Sequence, residues 1–255
     1  MKSYSFNCKE YVMEDIRLVH CLFEQSGTFK NAFEDKGIIA FDYDIQNEFG
    51  QTDYVLDLFE QINDAYKGIT GSIFDAMDER DLVMAFFPCI YFIGQNNLFF
   101  SGTAIQYKDL TLQAIVEEIL KRNHNRNFYY EMLVKLIGIA NERKLRLIIE
   151  NPYGKGHYLK NNFILTPSLI DTNRSLHGDW FIKPTAYYAL NCQLGEWSKI
   201  VKPQKVRLMQ NVARSKKKGV CSKARSLISP DYAKNFVEDI ILGSSIGNKQ
   251  LELDL

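Results

Sequence analysis

The chain has 255 residues, with 31 basic and 31 acidic side chains, so its formal net charge is zero. A neutral molecule exerts no long-range pull on nucleic acid, and any such attraction must come from a local excess of charge. The five cysteines are odd in number and show no CxxC spacing, which argues against a disulfide framework and against a metal site. The first residues lack a signal-peptide pattern, and no run of about 18 apolar residues exists, so we expect a cytoplasmic protein without a membrane span.

The first part of the chain alternates predicted strands and helices. A strand at residues 17–23 leads through a glycine-bearing turn to a helix at 29–36, and a second strand follows at 38–41. This order is typical of half a nucleotide-binding α/β unit. The turn contains Gly27 but no GxGxxG pattern, so it does not by itself identify a nucleotide site.

The later elements continue the same alternation. Apolar spacing predicts further helices at 55–67, 110–122 and 128–143, and strands at 82–87, 145–149, 180–182 and 186–190. Residues 94–102 are predicted to form a loop. Ser229 and Pro230 are typical of a helix start, so a last helix is predicted at 232–242, with Gly243 as its end.

Two predicted strands end in chemically useful residues. The uninterrupted apolar run 82–87 is typical of a strand buried on both faces, and Pro88 cannot continue such a strand. Cys89 therefore comes where the chain leaves the strand's carboxyl end. The strand at 145–149 is followed in the same way by Glu150 and Asn151. Open α/β sheets place ligands at this edge, where a thiol supplies a nucleophile and a carboxyl group a proton donor or acceptor.

Several short segments between about residue 18 and residue 243 occur in a recognisable order. They are Leu22–Phe33 with Gly37, Asp42–Asp44, Leu56–Leu58, Phe87–Phe92, Glu150–Pro152, His177–Thr185 and Arg225–Ala233. In this order they resemble the motifs of the DNA (cytosine-5) methyltransferases, most closely the short, phage-type branch. The resemblance implies a Rossmann-like sheet that binds S-adenosylmethionine, with helices on both faces and a small basic appendage.

The resemblance also implies a role for each matching residue. Cys89 would add to C6 of a cytosine, Glu150 would hold the N3 and amino edge of the base, and Asn151 would shape the catalytic loop. The implied contacts to S-adenosylmethionine are Phe23, Ser26, Gly27, Asp42, Tyr43, Asp57 and Phe87. Of these, Asp42 would bind the ribose, and Phe23 or Tyr43 would lie against the adenine ring.

The same residues also allow structural roles, which the sequence leaves open. A free cysteine usually packs as a small buried hydrophobe, and Phe23 and Tyr43 fit a core as well as a cofactor wall. Asp42 is suited to a turn and Glu150 to a helix cap. Asp57 is also explained as an acid stabilised by the helix dipole.

A strongly basic stretch lies near the carboxyl end. Residues 197–225 include ten basic residues and no acidic one. Lys216, Lys217 and Lys218 are the predicted phosphate contacts in it, which would make DNA binding weaken with salt. Arg174 and Lys183 are two further candidate nucleic-acid contacts, and they are the cations available near the target base.

These observations predict four parts of the chain. Residues 1–170 would form the catalytic domain that binds S-adenosylmethionine, and 171–225 a small basic region facing DNA. Residues 226–243 would form a helix that packs back on the catalytic domain, and 244–255 a tail.

The expected activity is methyl transfer to C5 of cytosine in DNA. The chain departs from the family pattern at Phe87, where the branch often has a proline, and at Ile90, where it has a polar residue. The family's Q-x-R-x-R motif is absent. Two alternatives follow: a protein of the same fold that binds cofactor or nucleic acid without turnover, and a methyltransferase acting on RNA or a free pyrimidine nucleotide. The small size also predicts a short recognition sequence or a protein partner that supplies specificity.

Overall fold

The computed structural model describes residues 16–201 and 226–243. Its centre is a seven-stranded mixed sheet with the order β3-β2-β1-β4-β5-β7-β6. The strands are β1 (Val19–Leu22), β2 (Ala40–Asp44), β3 (Tyr54–Val55), β4 (Leu82–Ala85), β5 (Arg146–Pro152), β6 (Leu169–Asp171) and β7 (Thr185–Leu190). Strands β1 to β5 pair in parallel, whereas β7 is antiparallel to both β5 and β6. The α/β prediction is confirmed, and the sheet is consistent with a Rossmann-like fold.

Helices cover both faces of this sheet. They are α1 (Thr28–Glu34), α2 (Leu58–Tyr66), α3 (Asn96–Phe100), α4 (Leu112–Arg143), α5 (Tyr158–Asn162) and α6 (Pro230–Phe236), which continues as a π-helical turn over Val237–Leu242. Three short 3₁₀ segments lie at Ile73–Ala76, Ile105–Tyr107 and Arg174–His177. Helices α1 and α6 pack together on one face, and α2 and α4 on the other. Among the described residues, no helix combines the length and the apolar character needed to cross a membrane.

The double-sided core explains the apolar run in β4. Val83 and Ala85 belong to the cluster that includes α2 and α4, whereas Leu82 and Met84 belong to the cluster that includes α1 and α6. Successive side chains of a strand point to opposite faces, so a strand covered on both faces must be apolar at every position. This packing fixes β4 in the middle of the sheet and brings the residues after Ala85 to its carboxyl edge.

The long helix corrects the sequence prediction of two helices at 110–122 and 128–143. These residues form one helix of 32 residues, Leu112–Arg143. The polar stretch between the two predictions contains no glycine or proline, so nothing in it breaks a helix. Arg122, just before this stretch, and Arg126, within it, place their guanidinium groups over the rings of Phe99 and Phe100, at 3.7 and 4.5 Å from the ring centroids. These contacts stabilise the middle of the helix against α3.

Two shorter segments also differ from the prediction. Residues 94–102 are not only loop, because α3 lies within them. The predicted strand at 180–182 is absent, since the side chain of Asp179 accepts a hydrogen bond from the Trp180 N–H at 2.6 Å and turns the chain. The strand at 185–190 is present, and it comes after Pro184, which cannot donate to a ladder.

The predicted domain boundary at residue 170 does not agree with the sheet. Strand β7 lies in the range assigned to a separate DNA-facing region, yet it pairs with β5 from Leu147↔Leu190 to Pro152↔Thr185. Residues up to Leu190 therefore belong to the central sheet. The helix α6 packs against α1, and its Tyr232 hydroxyl lies 2.9 Å from the Tyr187 hydroxyl of β7. Residues 202–225, which contain most of the basic stretch, and residues 1–15 and 244–255 lie outside the described ranges.

Candidate active site

A cavity of about 860 Å³ opens at the carboxyl edge of the parallel strands. Its volume lies in the range of small-molecule and cofactor sites. Six of the residues predicted for the site line it: Phe23, Ser26, Phe87, Cys89, Glu150 and Lys183. The nucleophile loop after β4, the end of β5 and the turn after β1 therefore meet in one space.

The loop that carries Cys89 is tied to the end of β5. The side chain of Asn151, fully buried, donates a hydrogen bond from Nδ2 to the carbonyl of Phe87 at 2.9 Å. The Phe87 ring packs edge-on against the Phe23 ring, with 5.1 Å between centroids. These contacts fix the backbone just before the thiol. Asn151 thus has the loop-shaping position predicted for it, although it does not itself line the cavity.

The Cys89 thiol is partly buried and has charged neighbours. Burial raises its pKa, the nearby Lys183 ammonium lowers it, and the negative charge of Glu150 raises it. The net effect is a raised pKa, so the thiol holds its proton in the free protein. Lys183 is the cation that opposes this effect, and it lines the same cavity.

The carboxylate of Glu150 is held by an arginine. Arg174 Nη1 lies 3.5 Å from Glu150 Oε1, and Nη2 of the same side chain forms an ion pair with Asp179. The guanidinium also lies over the Tyr232 ring, 4.5 Å from its centroid. The Arg174 side chain is 0% exposed. The charge of Arg174 is therefore enclosed by carboxylates rather than exposed, and its predicted contact with nucleic acid stays a prediction.

The turn after β1 places a second carboxyl group in the cavity. Glu24 Oε1 accepts a hydrogen bond from the Phe29 N–H at 2.8 Å and another from the Ser26 hydroxyl at 3.3 Å. Glu24 Oε2 is buried and has no hydrogen-bond partner among the described residues. Burial raises the pKa of Glu24 to about 7. Gly27, with φ of 65°, adopts the left-handed conformation that lets the chain turn here into α1.

The two aspartates of β2 differ from the prediction. Asp42, assigned to the ribose, is fully buried beneath the cavity, where its Oδ1 accepts hydrogen bonds from Lys30 Nζ at 3.2 Å and from the Asp53 N–H at 2.8 Å. Asp44, two residues further on, lines the cavity. Strand β2 continues to Asp44 rather than ending at residue 41, so the acid at its carboxyl end is Asp44. Of the two aspartates, Asp44 is therefore the one that a ligand in the cavity could contact.

Two other predicted cofactor contacts lie away from the cavity wall. Tyr43 is buried, its hydroxyl lies 2.9 Å from His20 Nδ1, and its ring stacks on Tyr54. Asp57 caps α2 by accepting hydrogen bonds from the N–H groups of Phe59 and Glu60. Both residues thus have the structural roles that the sequence left open. The predicted phosphate contacts Lys216, Lys217 and Lys218 lie outside the described residues.

Sequence reasoning missed several polar residues of the cavity, among them Glu24, Asp44 and His157. Glu24 and Asp44 lie in segments that resemble the family's motifs, so those motifs could have identified both residues as candidates. His157 had no such signal, because nothing in its local sequence separates it from a surface histidine.

The chain matches no protein-family model. A comparison with curated proteins also finds no match. The functional interpretation therefore depends on the geometry of this cavity and on the motifs that line it.

Proposed function

We propose that this protein transfers a methyl group from S-adenosylmethionine to C5 of cytosine in DNA. The observation that supports this most strongly is that Cys89 and Glu150, from the ends of neighbouring strands, line one cavity. A nucleophilic thiol and a carboxyl group in one pocket are the groups needed to activate an electron-poor ring.

The residues on the β1 and β2 side fit the cofactor. The buried Oε2 atom of Glu24 lacks a partner among the described residues, and Asp44 lines the same space. A cofactor that carries an ammonium group, a sulfonium group and ribose hydroxyls offers both a positive charge and hydrogen-bond donors to these carboxyl groups. Ser26 and Phe23 would complete the walls of this half. When bound, S-adenosylmethionine supplies an electrophilic methyl group.

The residues on the β4 and β5 side would act on the base. A cytosine in duplex DNA is shielded by stacking, so it must leave the helix to enter the cavity. Cys89, as its thiolate, adds to ring C6, and the Lys183 charge favours loss of the thiol proton. Glu150, oriented by Arg174 and protonated when the base is bound, accepts a hydrogen bond from the amino group and donates its proton to N3. This places negative charge on C5 and makes that carbon the nucleophile toward the methyl group.

The direct test is bisulfite sequencing of DNA from cells that express the protein. We expect methylated cytosines in a defined sequence context for the wild type, and none for Cys89→Ser. Cys192→Ser, at a partly buried cysteine that does not line the cavity, is the matched control and should methylate normally. Methylation that persists in Cys89→Ser would contradict the assignment of the nucleophile.

Labelled methyl transfer to duplex DNA, RNA and dCMP distinguishes the proposal from its alternatives. Transfer to RNA or dCMP alone would support the same chemistry on another pyrimidine. Absence of transfer to all three, together with tight binding of S-adenosylmethionine, would support a binding protein of the same fold.

A further inference from the structure

Arg126, in the middle of α4, carries a charge that no carboxylate of residues 16–201 and 226–243 balances. Five other arginines form ion pairs with an aspartate or a glutamate, namely Arg17, Arg80, Arg122, Arg143 and Arg174. The guanidinium of Arg126 instead lies over the rings of Phe100 and Tyr158, at 4.5 and 4.8 Å from their centroids. Its Nη2 donates a hydrogen bond to Asn123 Oδ1 at 2.6 Å. These neutral partners hold the group in place and leave its positive charge unbalanced.

Arg126 lines a second cavity, which has a volume of about 210 Å³. None of the described residues that line this cavity is acidic, and its wall carries four asparagines, namely Asn96, Asn97, Asn161 and Asn162. Asn97 and Asn161 are exposed residues, and an asparagine amide offers two N–H donors. The cavity therefore combines a positive charge with hydrogen-bond donors.

The size and the charge of this cavity indicate the kind of group that it binds. Pockets for whole small molecules have volumes of about 300–1,000 Å³, so a cavity of about 210 Å³ suits one group of a larger ligand. A phosphate group carries a negative charge and accepts hydrogen bonds through its oxygens, and a guanidinium matches its geometry. A phosphate would therefore supply the counter-charge that Arg126 lacks.

The second cavity adjoins the larger one that contains the thiol. Ile93 and His157 line both cavities. Tyr91 and Phe92, which follow Cys89 in the same loop, line the second cavity. A nucleic-acid strand whose base enters the larger cavity carries a phosphate on each side of that nucleotide, so the strand that presents the base can also present a phosphate next to it.

We propose that the second cavity binds a backbone phosphate of the nucleic acid, beside the nucleotide whose base enters the larger cavity, with Arg126 as the cation. The inference rests on the proposed function, because the base in the larger cavity belongs to that reaction. Such a contact would fix the position and the orientation of the strand without reading its sequence. Arg126 is then a positioning residue, distinct from the groups that act on the base.

The test removes one charge from each side of the contact. A duplex selected for tight binding to the wild-type protein is used, so that binding is measured independently of methyl transfer. Single phosphates of this duplex are replaced in turn by uncharged methylphosphonate, and the affinity is measured by fluorescence anisotropy at several salt concentrations. We expect one of these replacements to weaken wild-type binding about tenfold. Arg126→Gln should weaken binding to the unmodified duplex by a similar factor, reduce the salt slope by about 0.9, and show no further loss at that linkage.

Arg80→Gln is the matched control, because Arg80 precedes β4 and so lies at the opposite edge of the sheet. It should keep the affinity, the salt slope and the sensitive linkage of the wild type. Equal losses for Arg126→Gln and the wild type at every linkage would overturn the phosphate site. A tenfold loss of affinity for S-adenosylmethionine in Arg126→Gln, with DNA binding unchanged, would overturn it in favour of a cofactor contact. Inorganic phosphate that raises the melting temperature of the wild type but not of Arg126→Gln, without a sensitive linkage in the duplex, would assign the cavity to free phosphate instead.

A second variant keeps the test decisive if Arg126→Gln fails to fold, as judged by thermal melting. Asn97→Asp places a negative charge at an exposed position in the wall of the second cavity. We expect it to bind the unmodified duplex several-fold more weakly than the wild type does. It should bind the duplex with the sensitive methylphosphonate about as well as the wild type does, because a neutral linkage is not repelled. Equal weakening on both duplexes would contradict the phosphate contact.

Methyl transfer to the same duplex separates this inference from the proposed function. A wild type that shows the sensitive linkage, with its loss in Arg126→Gln, but transfers no methyl group would contradict the proposed function and not the phosphate site. A wild type that transfers methyl groups normally and shows no sensitive linkage would overturn the phosphate site alone.

Discussion

The cavity has a glutamate on its β1 side and another on its β5 side, and the two glutamates have different electrostatic surroundings. Glu24, on the β1 side, and Glu150, on the β5 side, are each 7% exposed. Glu150 lies beside the guanidinium of Arg174, 3.5 Å away. Glu24 receives hydrogen bonds from a backbone N–H and a hydroxyl, while the nearby ammonium of Lys30 is bound to Asp42 and Asp53 instead.

The two carboxyl groups are equally buried, so the difference between them comes from the charged groups and hydrogen-bond donors beside each one. A buried carboxyl group beside a cation keeps its orientation, which suits a group that must hold one edge of a ligand. A buried carboxyl group without a cation titrates near neutral pH and gains from a positively charged ligand. Among the described residues, Glu150 therefore has a cation beside it, whereas the buried Oε2 atom of Glu24 has no partner.

Removal of Arg174 should have the largest effect, because it would leave Glu150, like Glu24, buried without a cation. Arg174→Leu leaves Glu150 and Asp179 buried without their cation, and breaking such a buried pair costs about 3–5 kcal/mol of stability. We expect a clearly lower midpoint of thermal and denaturant unfolding.

The matched control is Arg80→Leu. Arg80 also pairs with an aspartate, Asp78, at 3.0 Å, but its side chain is 58% exposed. Exposed pairs contribute about 1 kcal/mol or less, so this variant should unfold almost as the wild type does. Equal losses of stability for the two arginine variants would show that the enclosed ion pair has no special role.

The second prediction concerns the pH dependence that Glu24 imposes. Folding raises the pKa of Glu24 from 4.5 to about 7, so the folded state binds its proton more tightly than the unfolded state does. The free energy of unfolding should therefore fall as the pH rises from about 4.5 to 7. Glu24→Gln keeps an acceptor for the Phe29 N–H and removes the titration. We expect it to match the wild type below pH 4.5 and to be more stable by about 3 kcal/mol above pH 7.

Denaturant unfolding across this pH range measures the difference. Glu34→Gln, at an exposed position of α1, should run parallel to the wild type. Glu150→Gln should give no gain at high pH, because it removes a charge that Arg174 balances. A Glu24→Gln profile that stays parallel to the wild type would contradict the proposed titration.

The positions of Cys89 and Glu150 near the sheet edge were predictable from the sequence, and the reason is local. Each residue closely follows a short apolar run that has a proline nearby, Pro88 or Pro152, and such a run indicates a buried strand close to its carboxyl end. The single helix α4 was not predicted, because its polar middle is stabilised by rings of α3 that are distant in sequence. Arg174 shows the same limit, since an arginine enclosed by carboxylates has no local signature.

The sequence alone could not show which of Asp42 and Asp44 reaches the cavity. Both aspartates lie in one acidic strand end, and only the last residue of β2 decides which one reaches the cavity. That end is fixed by the pairing of Tyr43 and Asp44 with Tyr54 and Val55 of β3. The partner strand β3 has only two residues and gives almost no sequence signal. The sequence therefore did not show that β2 extends to Asp44.

Asp44→Asn should have the smallest effect, and it tests whether the end of β2 contributes to the proposed binding of S-adenosylmethionine. If Asp44 binds ribose hydroxyls, losing its charge should weaken binding of S-adenosylmethionine about tenfold, or about 1.4 kcal/mol, without changing stability. Asp42→Asn should do the reverse, because Asp42 is bound to Lys30 and to the Asp53 N–H rather than exposed to the cavity. Calorimetric titration measures the affinity and thermal melting the stability. A larger loss of affinity for Asp42→Asn than for Asp44→Asn, with thermal melting unchanged, would contradict the assignment of the ribose contact to Asp44.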